Sequence, residues 1–234
     1  MPINGHPNIQ SESDKIILTN DQMDEMRKCI NSYEYFMHTY LKIDLNESDL
    51  LFVKSINENR YNIIASKSKT NNTMLLHTHL LWNLLYKQQD KVCVILTPSL
   101  KQSKAYRDRI VKYYESLPIW LQCPIIKCNK HVFLMQNYNR IIFTKCDACS
   151  IKGMTTNQLY IHGASFISND LLDDFIASIF PIMSHGISSR IVIESYPYLH
   201  SRFDDIWNNP DSMFIKHGKR EYVYPCPEGV ENGI

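Results

Sequence analysis

The chain has 234 residues, of which 44% are hydrophobic and 21% charged, and this composition predicts one large domain with its own hydrophobic core. Its 25 basic and 24 acidic side chains give a net charge of +1, which excludes a basic surface over the whole protein but allows a local basic patch. The longest apolar stretch, Met74 to Tyr86, is too short and too polar to span a membrane, so we expect no membrane partner. Seven cysteines without a signal peptide indicate reduced thiols in a cytoplasm.

The ends of the chain differ from its middle. Residues 1–17 are polar and aperiodic and are expected to form a mobile tail, and residues 218–234, rich in proline and glycine, an irregular C-terminal tail. The domain is therefore expected over residues 18–217. It begins with apolar residues at helical spacing, which predict one helix from Thr19 to Tyr40 and a second over Ser48 to Glu58.

Strands and helices then alternate along the chain. Strands are predicted over residues 60–66, 91–97, 131–135, 140–144, 158–162 and 190–194, and helices over residues 71–87, 99–116, 169–179 and 201–207. This order predicts an α/β fold, a mainly parallel sheet with helices on both faces, preceded by the N-terminal helices. Because such sheets bind ligands at the carboxyl ends of their strands, the candidate positions are residues 66–73, 98, 146–149, 162–165 and 194–197.

Glycine is absent between Gly5 and Gly153. A loop that surrounds phosphates with successive backbone amides needs glycine at its tight positions. The segment SKSKTNNT, which follows the first predicted strand, therefore lacks the chemistry of a glycine-rich phosphate loop.

Several segments between Thr19 and about Val223 carry a family resemblance. They read YFMHTYLKI, RYNIIASKSKTNNT, KVCVILTPS, ESLPIWLQ, SIKGMTTNQLYIHGASFIS and SRIVIESYPYLHSRFDDIW. Together they resemble the N-terminal ATPase domain of the large terminase subunit of tailed phages of the myovirus type, the motor that packages DNA into proheads. The resemblance implies a P-loop-ATPase-like sheet of the ASCE/RecA type and a location in the host cytoplasm. It leaves no room for the family's nuclease domain, so we expect no DNA cleavage by that route.

The nucleotide motifs of that family are altered here. The family loop SRxxGKTT falls on residues 66–73, where Thr70 replaces the glycine, Asn71 the lysine and Asn72 a hydroxyl residue that holds magnesium. Lys67 falls on the family's arginine, and Lys69 offers a displaced charge. The degenerate positions of the whole nucleotide site are Ser66, Lys67, Lys69, Thr70, Asn71, Asn72, Thr73, His162, Gly163 and Glu194.

The catalytic carboxylates of the family are also replaced. Its Asp-Glu pair falls on His162 and Gly163, and its third motif begins here at Glu194. Because glycine cannot act as a base and imidazole is a poor magnesium ligand, we interpret the chain as a catalytically inactive pseudo-ATPase without a cofactor. It would act through contacts with the large terminase, the small terminase, the portal or DNA, and regulate the packaging motor or compete with it.

Four alternatives remain open from the sequence. A divergent ATPase could still bind nucleotide, using Lys69, and His162 with Glu194 could form a new acid–base or metal pair. A zinc-stabilised binding module would use the four cysteines Cys123, Cys128, Cys146 and Cys149. The fourth is an unrelated α/β protein. A basic helix with interleaved tyrosines is a candidate partner or DNA face, through Lys101, Lys104, Arg107, Arg109 and Lys112.

Overall fold

The N-terminal helices are broken where the sequence predicts one continuous helix. In the computed structural model, which describes residues 18–66, 71–87, 91–147, 156–184 and 189–218, helix α1 spans Asn20–Asn31. Ser32 then has extended backbone angles, and its hydroxyl accepts a hydrogen bond from the amide of Tyr35. This N-cap starts helix α2, Tyr33–Phe36, which continues into a π-helical turn over Met37–Leu41. The predicted helix was wrong at Ser32, because local capping outweighs the helical periodicity.

The remaining helices lie close to their predicted positions. They are α3 (Glu47–Glu58), α4 (Asn72–Trp82), α5 (Leu100–Glu115), α6 (Asn169–Ser184) and α7 (Arg202–Asn208). Helix α4 is followed by a π-helical turn over Asn83–Lys87, and short 3-10 turns occur at Ile119–Leu121 and Ala164–Phe166. None of the helices in the described parts of the chain is long and apolar enough to cross a bilayer.

Eight strands form one mixed sheet. They are β1 (Tyr61–Ala65), β2 (Val92–Thr97), β3 (Ile125–Cys128), β4 (Val132–Met135), β5 (Arg140–Lys145), β6 (Gln158–His162), β7 (Arg190–Ser195) and β8 (Ile215–His217). Their spatial order is β3-β4-β5-β2-β6-β7-β1-β8, and only β4 runs antiparallel to its neighbours. The predicted α/β fold with a mainly parallel sheet is thus confirmed. The sequence missed the two edge strands, β3 and β8, because they are short and exposed and lack a continuous apolar run.

The hydrophobic core lies on both faces of this sheet. On one face, Phe175 of α6 and Phe203 of α7 pack over the central strands. On the other face, α4 and α5 contribute Leu76, Leu80 and Ile110. We call these the α6–α7 face and the α5 face of the sheet.

A third cluster joins the N-terminal helices to the sheet through α4. Leu75 and Trp82 lie on the side of α4 that packs against α1 and α2, together with Phe36. The indole Nε1 of Trp82 donates to the carbonyl of Cys29 at 2.8 Å, and the hydroxyls of Tyr33 and Thr78 are 2.7 Å apart. Helix α4 therefore packs on both sides, which accounts for its almost entirely buried sequence.

Candidate functional site

Strand order brings three predicted site segments together. Strand β7 lies between β1 and β6, and all three run parallel, so their carboxyl ends are adjacent. Glu194, near the end of β7, pairs in register with Ile64 on β1 and with His162 on β6. Its side chain is 4% exposed. Glu194 is thus a buried carboxylate at the centre of the strand ends where we expected a ligand site.

Both carboxylate oxygens of Glu194 have partners. The hydroxyl of Ser66, just after β1, donates to Oε1 at 2.6 Å, and the hydroxyl of Thr73, in the first turn of α4, donates to the same oxygen at 3.0 Å. The other oxygen, Oε2, contacts Nδ1 of His162. The structure therefore joins four of the predicted site residues into one network.

This network keeps Glu194 ionised at neutral pH. Burial acts to raise the pKa of the carboxyl, but the hydrogen bond and charge of His162 and the hydroxyls of Ser66 and Thr73 lower that pKa below its ordinary value of 4.5. Because an ionised carboxylate can only accept hydrogen bonds, Nδ1 of His162 is the donor in this pair. The His162 side chain is 28% exposed and forms the outer edge of the network.

Two aromatic side chains extend the site inward. The ring of Tyr106 on α5 meets that of His162 edge-on at 5.1 Å and lies 3.8 Å from the ring of His77 on α4. Burial lowers the pKa of His77 well below 6.5, and the charges of His162 and Arg109 act in the same direction. His77 is consequently neutral, and its Nε2 has no hydrogen-bond partner among the described residues.

Gly163 has a backbone conformation that favours glycine. Its φ of +72° lies in the left-handed region, and its amide donates to the carbonyl of Glu194 at 2.7 Å. A Cβ built at this position would lie 3.2 Å from two ring carbons of Pro98. The position that the family resemblance assigns to a catalytic glutamate is thus strained for any side chain.

Other predicted nucleotide-site positions are only partly described. Asn71 precedes α4 without capping it through its side chain, and Asn72 is the first residue of the helix. Lys67, Lys69 and Thr70 lie outside the described residues.

Three of the four cysteines proposed for zinc are described, and they do not share a site. Cys123 and Cys128 pack on the α5 face of the sheet, whereas Cys146 belongs to the core of the α6–α7 face. Burial raises the pKa of all three thiols, that of Cys146 to about 12. Cys149 lies outside the described residues. In the described ranges, no group of three or more histidine, cysteine, aspartate or glutamate side chains is arranged to hold a metal.

The basic helix is α5, and its cations face solvent. Lys101, Lys104, Arg109 and Lys112 are exposed, whereas Arg107 is half-buried and bonded to Asp108. The interleaved Tyr106 and Tyr114 are buried core residues and contribute nothing to an exposed aromatic surface.

Sequence reasoning did not include Tyr106 and His77 in the site. The spacing of Ser103, Tyr106 and Ile110 on α5 does identify the buried face of that helix. Nothing in the sequence indicates that this face ends beside His162, because the contact depends on how α5 lies across the sheet.

Comparison with solved structures shows the fold of phage large terminase ATPase domains. The large terminase of bacteriophage HK97 is similar with a TM-score of 0.65 and 15% identity, over 82% of this chain and 43% of that one. The large terminase ATPase domain of Thermus phage P74-26 gives a TM-score of 0.56 and 13% identity, over 82% of this chain and 83% of that one. The large terminase of another thermophilic bacteriophage gives 0.52 and 7%, over 67% of this chain and 40% of that one.

These similarities concern the fold. This chain spans less than half the length of the HK97 large terminase but most of the length of the P74-26 ATPase domain. No family model matches the sequence. The predicted terminase-like ATPase fold is confirmed at identities where shared activity does not follow from shared architecture.

Proposed function

We propose that this chain is a terminase-like ATPase domain of phage DNA packaging that does not hydrolyse ATP and acts through contacts with other components. The observation that carries the proposal is the buried, ionised Glu194. Its carboxylate engages the hydroxyls of Ser66 and Thr73 at the end of β1 and the start of α4. The family resemblance places the nucleotide phosphates at this junction of strand and helix.

Electrostatics argue against nucleotide at that junction. Phosphate groups are stabilised by backbone amides, a lysine and a magnesium ion. Here a carboxylate that is 4% exposed already accepts the nearby hydroxyl hydrogens. A triphosphate brought to this site would meet a like charge in a poorly screened environment, which is unfavourable.

The groups for hydrolysis are also unsuited to it. His162 occupies the position of the magnesium-binding aspartate, and its Nδ1 is engaged with Glu194. Gly163 occupies the position of the catalytic glutamate and offers no base. Since the sheet and its helices are intact, contact with packaging proteins or DNA is the property that we propose has been retained.

A nucleotide-binding assay tests the first half of the proposal. We expect no rise in thermal midpoint at millimolar Mg-ATP, because stabilisation by a ligand depends on its concentration relative to Kd. ATP turnover should stay at background, and Asn71→Lys alone should not create it, since His162 and Gly163 remain. A rise of several degrees, or turnover that Lys69→Ala abolishes, would contradict the proposal and support the divergent ATPase.

A binding assay tests the second half. We expect the chain to co-purify with the large terminase from its own source, or to lower the DNA-stimulated ATPase activity of that protein. The small terminase, the portal and DNA are the other candidates. Lys104→Glu with Lys112→Glu on α5 should weaken the contact in a salt-dependent manner, and Lys54→Glu with Lys216→Glu, the same charge change elsewhere, should not. No binding to any candidate at ~10 μM and low salt would argue against the packaging role.

A second candidate function is acid–base catalysis by His162. The close contact with Glu194 favours it, because a carboxylate that orients a histidine is a recurrent feature of general bases. In that case ATP turnover above background would be lost in His162→Asn and retained in His77→Phe. Absence of turnover in the unmodified protein excludes this candidate for ATP.

A further inference from the structure

Strands β4 and β5 are covered on only one face. Their residues alternate between fully buried and half-buried side chains. Phe133 and Ile141 point to the α5 face and are buried there, whereas Val132, Leu134 and Ile142 on the other side remain half-buried. Alternation of this kind is typical of antiparallel strands that have one face open to solvent.

Cations border this open side. Lys127 of β3 pairs in register with Leu134 of β4, and Leu134 pairs with Arg140 of β5, so the three side chains form one row across the strands. Lys127 and Arg140 are both exposed. The second row consists of Val132 and Ile142. We call this surface the open sheet face; it consists of Lys127, Val132, Leu134, Arg140 and Ile142.

Helix α6 lies on the same side of the sheet and has the complementary character. Ile142 packs against the core cluster that contains Leu172 and Phe175 of α6, which places the helix on that side. The opposite surface of α6 is exposed and acidic. Its members are Asp170, Leu171, Asp173 and Asp174, an apolar side chain among three carboxylates.

We propose that the open sheet face of one copy of this chain docks the exposed surface of α6 of a second copy. Both surfaces lie on one side of the sheet, so a two-fold axis brings the open sheet face of each copy onto α6 of the other. Shape supports this pairing, because α6 forms a raised layer beside strands that carry no such layer. Placing a helix on a bare sheet face completes the layered packing that the rest of the domain already has.

The chemistry of the two surfaces matches as well. The apolar side chains of Leu134 and Ile142 meet Leu171, while Lys127 and Arg140 lie opposite Asp170 and Asp174. An apolar centre with a charged rim is the usual anatomy of a protein interface. Since the rim pairs are solvent-exposed, the dimer should weaken as salt increases.

Charge exchange between the surfaces tests the proposal. We expect the wild-type chain at ~50 μM and low salt to sediment with twice the mass of the 27.4 kDa monomer and to dissociate in ~1 M salt. Lys127→Glu with Arg140→Glu should weaken the dimer at least about 100-fold, because like charges then face each other. Asp170→Lys with Asp174→Lys should do the same. An equimolar mixture of the two double variants should restore the dimer, because every charged contact between them is again favourable.

The matched control reverses two lysines on the opposite face. Lys104→Glu with Lys112→Glu on α5 changes net charge by the same amount and should leave the dimer intact. A wild-type protein that is monomeric at low salt would overturn the proposal, as would a dimer that survives both double variants. Duplex DNA that binds to a monomer and is released by the Lys127 and Arg140 changes would overturn it in favour of a nucleic-acid surface. The salt titration of the wild type remains decisive even where a variant fails to fold.

Discussion

Glu194 is a buried anion whose cost is offset by three donors. An unpaired buried carboxylate would be strongly destabilising, and it would take up a proton before it remained ionised. Here Ser66, Thr73 and His162 supply hydrogen bonds from three different elements, and the pKa of Glu194 is lowered despite burial. The network therefore ties β1, α4 and β6 to β7 as long as Glu194 is charged.

Replacing Glu194 tests this role. Glu194→Gln should lower the free energy of unfolding by about 1.5–3 kcal/mol at pH 7, the range for hydrogen bonds to a charged group. Because the folded-state pKa of Glu194 lies below 4.5, its contribution is present above pH 4.5 and is lost as pH falls through the folded pKa. Urea unfolding from pH 7 to pH 3 should show a smaller loss in the variant. Glu58→Gln, at an exposed position, is the control and should behave like the wild type.

His77 should make stability depend on pH in the same direction but in a higher range. Its folded-state pKa lies well below 6.5, so on acidification the unfolded chain gains a proton that the folded chain excludes. Stability is therefore lost as pH falls below 6.5, at up to about 1.4 kcal/mol per pH unit for one such group. His77→Phe should remove one such contribution.

The measurement is urea unfolding between pH 7.5 and pH 5. The wild type should retain a further slope from His79, which is also buried and whose pKa is lowered to about 3. At pH 7 the variant should be at least as stable as the wild type, because the unpartnered Nε2 is removed. Identical slopes in the two proteins would show that His77 is not the buried neutral group described above.

At the scale of elements, two turns at strand ends depend on glycine. Gly163 follows β6 with φ of +72°, and Gly218 follows β8 with φ of +94°. A Cβ at Gly163 would press on the ring of Pro98 at 3.2 Å, whereas a Cβ at Gly218 would lie 2.4 Å from the carbonyl oxygen of Ala65. The first neighbour is a side chain and the second is the backbone of a central strand, so they differ in how far they can yield.

Alanine substitutions should follow that difference. Gly163→Ala should destabilise the fold by about 1–2 kcal/mol, the cost of a left-handed residue with a side chain. Gly218→Ala should cost more, because the backbone of β1 or β8 must move. Thermal and urea unfolding of both variants measure the order. Equal effects, or a smaller effect at Gly218, would contradict the close approach of Gly218 to β1.

At the scale of the molecule, helix α4 links all parts of the core. Leu76 packs with the α5 face of the sheet, and Leu75 one residue earlier packs with the N-terminal helices. The sheet in turn separates this layer from α6 and α7, which cover its other face. No cluster can lose its packing without exposing apolar surface of the next, so we expect the domain to unfold as one unit.

Tryptophan fluorescence can test that cooperativity. Trp82 reports on the N-terminal cluster and Trp207 on the α6–α7 face. Variants that retain only one of these, made by Phe substitution of the other two tryptophans, should each show the same urea midpoint by fluorescence as by circular dichroism. A lower midpoint for the variant that retains Trp82 would show that the N-terminal helices unfold separately from the sheet.

Local patterns in the sequence determined the fold class and most element positions. Apolar runs such as 91–97 and 158–162 predict buried strands, and β2 and β6 lie within one residue of them. Where the signal was weak, at Ser32 and at the edge strands β3 and β8, prediction failed, because capping and edge pairing leave little hydrophobic periodicity. The absence of glycine from residues 66–73 is likewise visible in the sequence alone.

Only the tertiary structure decided which strand-end residues meet. Ser66 and Glu194 are 128 positions apart in the chain, and Thr73 and Glu194 are 121 apart, yet they share one hydrogen-bond network. The placement of β7 between β1 and β6 creates these contacts, and the placement of β4 and β5 near one edge leaves a sheet face open. Hydrophobic periodicity reports which side of each element is buried. Strand order is set by packing among distant segments, and no local pattern encodes it.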